Sequence, residues 1–448
     1  MSEPHPPIPK GPWQIARHLG PGLIITASIV GSGELIVTTK LGGEVGFGLL
    51  WFIIVGCLVK VFVQMELGRY AMIHGQTTLE ALNSIPGPRL RVSWLVWVWL
   101  VMFIATFFQL SGIVGGIAGV FRTGGSQWPD WVWAFGIALS CSVFLTIGRY
   151  GLIERFSTIM VAVFTLFTIF AVGALHWTEF AITGAQIQSG LSFQLPANFT
   201  TAFAAFGIIG VGASELIYYP YWCLEKGYAK YVGPKEESEQ WRERARAWLT
   251  VMRADALLSL IIYTGATVAF YLLGAAVLHK KNLIVSNDDM IPTLSNIYSE
   301  SFGTWGLWIF LVGAFAVLYS TVFISTATNA RLFADFGRVF KIVRADSEER
   351  KAQIVKWTCL GLPFVYFVFY ITVGKPVHLV FAGALAQALM LPFLAAAALY
   401  FLHCRTPYEL KPENPIARSA WAWALWLSAG LMGAVGVYQL IDKLKSGL

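Results

Sequence analysis

Val30-Gly31-Ser32-Gly33-Glu34-Leu35-Ile36 returns, with two changes, as Val211-Gly212-Ala213-Ser214-Glu215-Leu216-Ile217. Each copy sits inside an apolar stretch, and five predicted spans separate the two. An odd offset starts the second unit from the opposite side of the membrane, which is the signature of an inverted repeat. Glycine is a poor helix former and frees the backbone, so paired glycine-interrupted segments point to discontinuous helices around a midplane site. The plainer alternative is that the glycines only let helices pack closely. The glutamates weigh against it, because a carboxylate near the bilayer centre is costly and normally faces a cavity, a partner or a substrate. Pairing with Lys40 or with a neighbouring helix is the structural reading that competes with a binding role.

Working outward, hydrophobic residues make up 56% of the 448 residues and charged residues 13%, with 18 Trp, so a water-facing surface could scarcely be covered. Apolar runs of about 20 residues recur, each long enough to cross ~30 Å of hydrocarbon as a helix. The lipid bilayer is therefore the expected partner. Met1 to Pro12 is proline-rich and lacks the basic, apolar and small-residue order of a cleaved signal. The five cysteines, Cys57, Cys141, Cys223, Cys359 and Cys404, have no C-x-x-C spacing and read as core-filling thiols. The net charge of +7 comes from short loops, where orientation explains it, and nucleic-acid binding is set aside.

About eleven spans are expected, beginning near Leu23, Phe47, Trp94, Trp131, Leu152, Thr200, Val251, Trp305, Val355, Val377 and Ala420. The basic linkers follow every second span: Arg89 and Arg91; Arg149 and Arg155; Lys226 through Arg246; Arg338 through Lys351; Arg405 and Lys411. His176 to Asn198, on the other face, holds no Lys or Arg. The positive-inside rule then places the N-terminus in the cytoplasm and the C-terminus outside, in the plasma (inner) membrane. Asn198-Phe199-Thr200 matches a glycosylation sequon but abuts a span and carries no weight.

Other polar residues within the spans are weaker signals. Lys60, Gln64, Glu66 and Arg69 recur at helical spacing in span 2 and are expected to form an ion-pair network. Arg253 and Asp255 are placed near the cytoplasmic end of span 7 as a gate or a cap. Gln109, Ser111, Tyr319, Ser320, Thr321 and Gln387 either line a cavity or bond neighbouring helices. Trp94, Trp131 and Trp305 read as interface anchors.

Gly20-Pro21-Gly22, then Gly31-Ser32-Gly33-Glu34, then Gly46-Phe47-Gly48-Leu49-Leu50-Trp51 resembles the first span of the NRAMP divalent-metal transporters. So do Gly148-Arg149-Tyr150-Gly151-Leu152-Ile153-Glu154 entering span 5 and the Gln-x-x-x-Leu-Pro-Phe pattern from Gln387 to Leu391-Pro392-Phe393. The resemblance implies an all-α, LeuT-like inverted repeat of five plus five spans with an additional eleventh helix, spans 1 and 6 being broken. In residue numbers this is a single membrane domain over 1–448, with repeats at 20–175 and 199–400 and the extra helix at 418–440.

The departures from the family shape the functional reading. Gly31-Ser32-Gly33-Glu34 stands where the family has Asp-Pro-Gly-Asn, so the metal-binding Asp is absent and an acid replaces the Asn. Ala213-Ser214-Glu215 falls on the family's Met-Pro-His, and Phe107 and Leu110 fall on its acidic pair in span 3. The chain is similar in some respects to the magnesium-transporting relatives. Exchanging sulfur and imidazole for oxygen shifts the expected cargo toward hard cations, Mg²⁺ or Mn²⁺, with weak or no proton coupling. Glu34 and Glu215 are the candidate metal ligands. Gly31, Ser32, Gly33, Gly212, Ala213, Ser214 and Gln387 complete the candidate substrate site, and no cofactor is implied. An alternative is a LeuT-fold transporter of an amino acid or other small organic molecule, its carboxylate held at Gly31–Gly33 by free N–H groups. A channel or sensor fits the inverted repeat less well, and an enzyme is not expected, since no nucleophile-base pair, zinc motif or phosphate loop is visible.

Overall fold

The computed structural model describes residues 8–9, 11–147, 150–193, 200–283, 290–342, 347–407, 410 and 415–445, with the backbone alone for Ser32, Gly33 and some residues of the later helices. Arg149, Lys411, most of Met1 to Pro12, part of the Arg338–Lys351 linker, and Asn198 and Phe199 of the sequon lie outside the described residues.

Span 1 is built from Pro21–Ile29, a wide-wound π segment Val30–Thr38, and Thr39–Val45, with a 42° bend between its outer halves. Proline at the first helical position suits the start, because its missing N–H has no partner there anyway. Two of the N–H groups at this end are met by Asp255, whose carboxylate accepts from Gly20 N at 2.8 Å and Gly22 N at 2.6 Å. A negative side chain on a helix N-terminus offsets the macrodipole. Asp255 is therefore the cap of span 1, donated by span 7.

Spans 2, 3 and 4 are Leu50–His74, Trp94–Thr123 and Asp130–Ile147. Tyr150–Ala174, at 25 residues and thus about 37 Å long, occupies the place of span 5. Span 6 is in two pieces, Thr200–Ile208 and Ala213–Lys226. Span 7, Glu239–Leu273, begins a dozen residues before the apolar run, because Ser238 caps a polar extension by accepting from Trp241 N at 3.2 Å. Spans 8 to 11 are Phe302–Val339, Glu348–Val373, Pro376–Arg405 and Pro415–Tyr438. Beyond the helices, the described residues hold one short hairpin, Arg89–Leu90 with Val92–Ser93.

Burial sorts the spans. The apolar window of span 6 is 94% buried, against 22% for spans 9 and 11, so span 6 is central and the other two are peripheral. Trp131 and Trp305 are exposed, as anchors at an interface would be. Trp94 instead packs edge-on against Phe393. Cys57, Cys141, Cys223 and Cys359 are buried, while Cys404 is exposed.

The expected network in span 2 divides. Glu66 and Arg69 form a buried ion pair, and Trp421 of span 11 donates to Glu66 at 3.4 Å, tying the extra helix to the bundle. Lys60 and Gln64 stand apart from it. Lys60 turns to the backbone of span 6, and the Gln64 amide has no hydrogen-bond partner among the described residues. Arg253 stacks over the Trp421 ring at 5.6 Å.

Candidate functional site

Spans 1 and 6 break differently. In span 6, Gly210 adopts φ +59°, a conformation only glycine reaches at little cost, and the helix restarts at Ala213 with Gly212 as its N-cap. In span 1 the helix is never unwound; it widens into π turns, a distortion often found at functional sites. Ser320 and Thr321 of span 8 donate to the carbonyls near this bend, Ser320 to Ala27 O and Thr321 to Ser28 O, both at 3.0 Å. Gly31 lies against the same helix, so closely that a Cβ there would fall 2.1 Å from Thr321 Oγ1 and 2.6 Å from Val317 O. At Gly31, close packing is the role the glycine plays.

The restarted half of span 6 presents its N-terminal N–H groups to a buried cleft. Gln387 of span 10 accepts from Ser214 N at 2.9 Å and donates to Gln109 of span 3 at 2.7 Å, which fixes its amide orientation. Glu215 lies in the first turn and curls back over Gly212, where a Cβ would sit 2.6 Å from Glu215 Oε2 and 2.7 Å from Gln387 Oε1. Ser28 of span 1 donates to Glu215 at 3.1 Å and is itself 2.9 Å from Ser325 of span 8. Gln109, Ser214, Glu215, Tyr218, Ser325 and Gln387 line a narrow cavity with room for about one water-sized group. Its remaining wall is Thr106, Leu110 and Thr321. Every polar atom on these side chains is oxygen or amide nitrogen.

Glu34 is not in that wall. Its side chain is fully buried on the far side of the span 6 break, accepting from Gly210 N at 2.9 Å and from Thr267 Oγ1 of span 7 at 2.5 Å. Lys60 meets the same break from span 2, donating to Phe206 O and, at 2.6 Å, to Ile209 O. The Ile209–Gly210 peptide thus has its C=O on an ammonium and its N–H on a carboxylate. Lys40, the alternative partner weighed against a binding role, pairs with Glu44 at 3.5 Å.

Of the residues singled out in the sequence, Ser214, Glu215 and Gln387 come together at the cavity, with Gly212 and Ala213 at the helix start beneath them. Glu34 and Gly31 are directed elsewhere. Of Ser32 and Gly33 the structure places only the backbone, within the π segment. Gln109 and Thr321 line the cavity, while Ser111 bonds its own helix at Phe107 O and Tyr319 donates to Ser140. Ser28, Tyr218, Thr267 and Ser325 belong to the two sites and were not foreseen. Ser28, a polar residue less than two turns before Glu34 in a mostly apolar stretch, carried a usable signal. Among the described residues no three His, Cys, Asp or Glu side chains cluster as a metal site.

The fold and these residues can be set beside known proteins. The manganese transporter of Eremococcus coleocola, in a mutant form, superposes with a TM-score of 0.67 at 12% identity, over 96% of this chain and 88% of that one. MhsT in complex with L-phenylalanine superposes with a TM-score of 0.58 at 13% identity, over 93% of this chain and 98% of that one. Both likenesses concern the LeuT-like fold. The metal transporter Nramp4 of Arabidopsis thaliana is 22% identical over 166 residues, which is 35% of this chain and 31% of that protein, so the match spans under a third of the relative's length. The profile described as natural resistance-associated macrophage protein-like (Nramp) matches residues 22–442, nearly the whole chain. Nramp is a family of transporters and not of enzymes. On that match, this chain belongs to the Nramp family.

Proposed function

We propose that the chain carries a hard divalent cation, Mg²⁺ or Mn²⁺, across the membrane by alternating access, with Glu215 as the acidic ligand. One observation supports this most: the cavity beside the span 6 break has a single carboxylate surrounded by hydroxyl and amide oxygens, with no thioether, thiolate or imidazole in its wall. Oxygen donors suit Mg²⁺ and Mn²⁺, whereas softer ions favour sulfur and imidazole. One carboxylate with neutral donors also suits an ion that keeps part of its water. Ser214, Gln387, Tyr218 and Ser325 then supply or orient the remaining oxygens. Glu34 adds its negative charge from behind the break without touching the cargo.

Coupling to protons is weak in this reading. The two span 3 positions on which the family's acidic pair falls are Leu110, an apolar part of the cavity wall, and Phe107, which packs edge-to-face on Phe103 and beside Tyr366. The organic-substrate alternative needs an open face at Gly31, and Thr321 and Val317 occupy that face. For topology we keep the division into repeats 20–175 and 199–400 with a helix at 418–440. The N-terminus is assigned to the cytoplasm and the C-terminus to the outside of the plasma membrane.

The test is flux into liposomes containing the purified protein, with Mg²⁺, Mn²⁺, Cd²⁺ and L-phenylalanine offered in turn. Entry of Mg²⁺ or Mn²⁺, lost in Glu215→Gln, is the expected result. Phenylalanine entry, or a preference for Cd²⁺, contradicts it.

A further inference from the structure

A half-helix that ends inside a membrane leaves carbonyls without partners and a partial negative charge. In transporters with broken helices, such ends are where small cations are coordinated. Thr200–Ile208 ends in this way, yet the carbonyls of Phe206 and Ile209 are already occupied by Lys60 Nζ, the second at 2.6 Å. The ammonium also stands 4.6 Å from the centre of the Phe206 ring, a second contact suited to a cation. Lys60 is fully buried, and Glu34 holds the N–H of the very peptide whose carbonyl Lys60 holds.

We infer that Lys60 is the resident cation of the span 6 break: its tethered ammonium fills the place a monovalent alkali ion would take, so the break binds no separate coupling ion. The surroundings are those of a cation site with oxygen to spare. Glu34 Oε2 and the Tyr263 hydroxyl are buried without a hydrogen-bond partner among the described residues. The Tyr263 ring borders the break, since a Cβ on Gly210 would lie 3.1 Å from it. The two carbonyls that Lys60 would vacate, with the Glu34 charge and the Tyr263 ring at the same break, leave an oxygen-rich place for Na⁺ once the ammonium is removed. Lys60 is thus a positioning residue for the unwound turn, and the ion carried by the cavity does not enter the inference.

The test uses purified full-length protein, melted in NaCl and in N-methylglucamine chloride at equal ionic strength. Wild type should melt at the same temperature in both. Lys60→Ala, which opens the space and keeps Glu34, should melt lower and regain several degrees in Na⁺ alone. Lys60→Met, whose side chain fills the space without charge, should show no such recovery. Three results overturn the inference: a wild type stabilised by Na⁺, a Lys60→Ala variant indifferent to Na⁺, or a Lys60→Ala variant that yields no folded protein in either salt. Because the readout is stability, it stands or falls separately from the cargo assigned to Glu215.

Discussion

The same heptapeptide pattern, placed twice, has produced two unlike sites. In the second copy Glu215 lines a cavity and shares its carboxylate with one serine hydroxyl from span 1. In the first copy Glu34 is sealed against backbone and a threonine, with a lysine across the peptide. Each acid reaches over to the opposite broken span, as the repeat would have it, Glu34 to Gly210 and Glu215 to Ser28. The difference lies in what is left over. Span 6 unwinds completely, so its loose carbonyls and N–H groups need charged partners, and Glu34 and Lys60 supply them. Span 1 only widens, so its carbonyls are satisfied by neutral hydroxyls and Glu215 faces the cavity with one serine as its side-chain partner among the described residues.

The sharpest way to break this comparison is to neutralise each acid in turn. Glu34→Gln should cost about 3 kcal/mol of stability, because the hydrogen bonds from Gly210 N and Thr267 lose their charge assistance and the buried Lys60 ammonium loses the countercharge across the peptide. The measurement is thermal melting of the purified variant, and metal affinity in the protein that remains folded should change little. Glu215→Gln should do the reverse. With one negative charge gone beside a divalent ion, calorimetric affinity for Mn²⁺ should weaken more than tenfold, over ~1.4 kcal/mol, with melting nearly unchanged. Equal effects of the two variants on both readouts would erase the distinction.

The two breaks can be compared in the same manner. Gly210→Ala forces a side chain into a left-handed conformation, at a cost of about 1–2 kcal/mol. The new Cβ also meets Cys57 Sγ at 2.9 Å. A lower melting temperature, with transport reduced in step, is expected. Unchanged melting would mean that the turn is not held as described.

How far the sequence carried can be traced residue by residue. The glycines and glutamates of the repeat announced two interrupted spans, because glycine and a buried acid are both anomalous in an apolar helix. Gln387 was legible for the same reason. What could not be read was which way each acid faces, since this depends on neighbours far along the chain, Thr267 for Glu34 and Ser28 for Glu215. Lys60 misled by its spacing to Glu66 and Arg69. Local periodicity favours a network along one helix, whereas the unpaired carbonyls of span 6 offer Lys60 a partner some 146 residues away. The start of span 7 was missed because hydropathy marks the membrane portion of a helix and is blind to a polar extension.

The smallest effect concerns Ser28, the serine that joins the two halves at the cavity. Its hydroxyl donates to Glu215 at 3.1 Å and sits 2.9 Å from Ser325, so it fixes one rotamer of the carboxylate. Ser28→Ala removes a hydrogen bond to a charged group, which is worth roughly 1.5–3 kcal/mol when the acceptor is left bare. Here the acceptor is not left bare: the cavity beside Glu215 has room for a water-sized group, and Ser325 remains on the same side. The expected loss is therefore below that range, about 1 kcal/mol, read as a several-fold weaker affinity for Mn²⁺ with the same maximal flux. Ser28→Thr, which restores the hydroxyl, should recover the affinity. If Ser28→Ala instead abolished flux with affinity intact, the serine would belong to the movement of span 1 against span 8 and not to the binding of the ion.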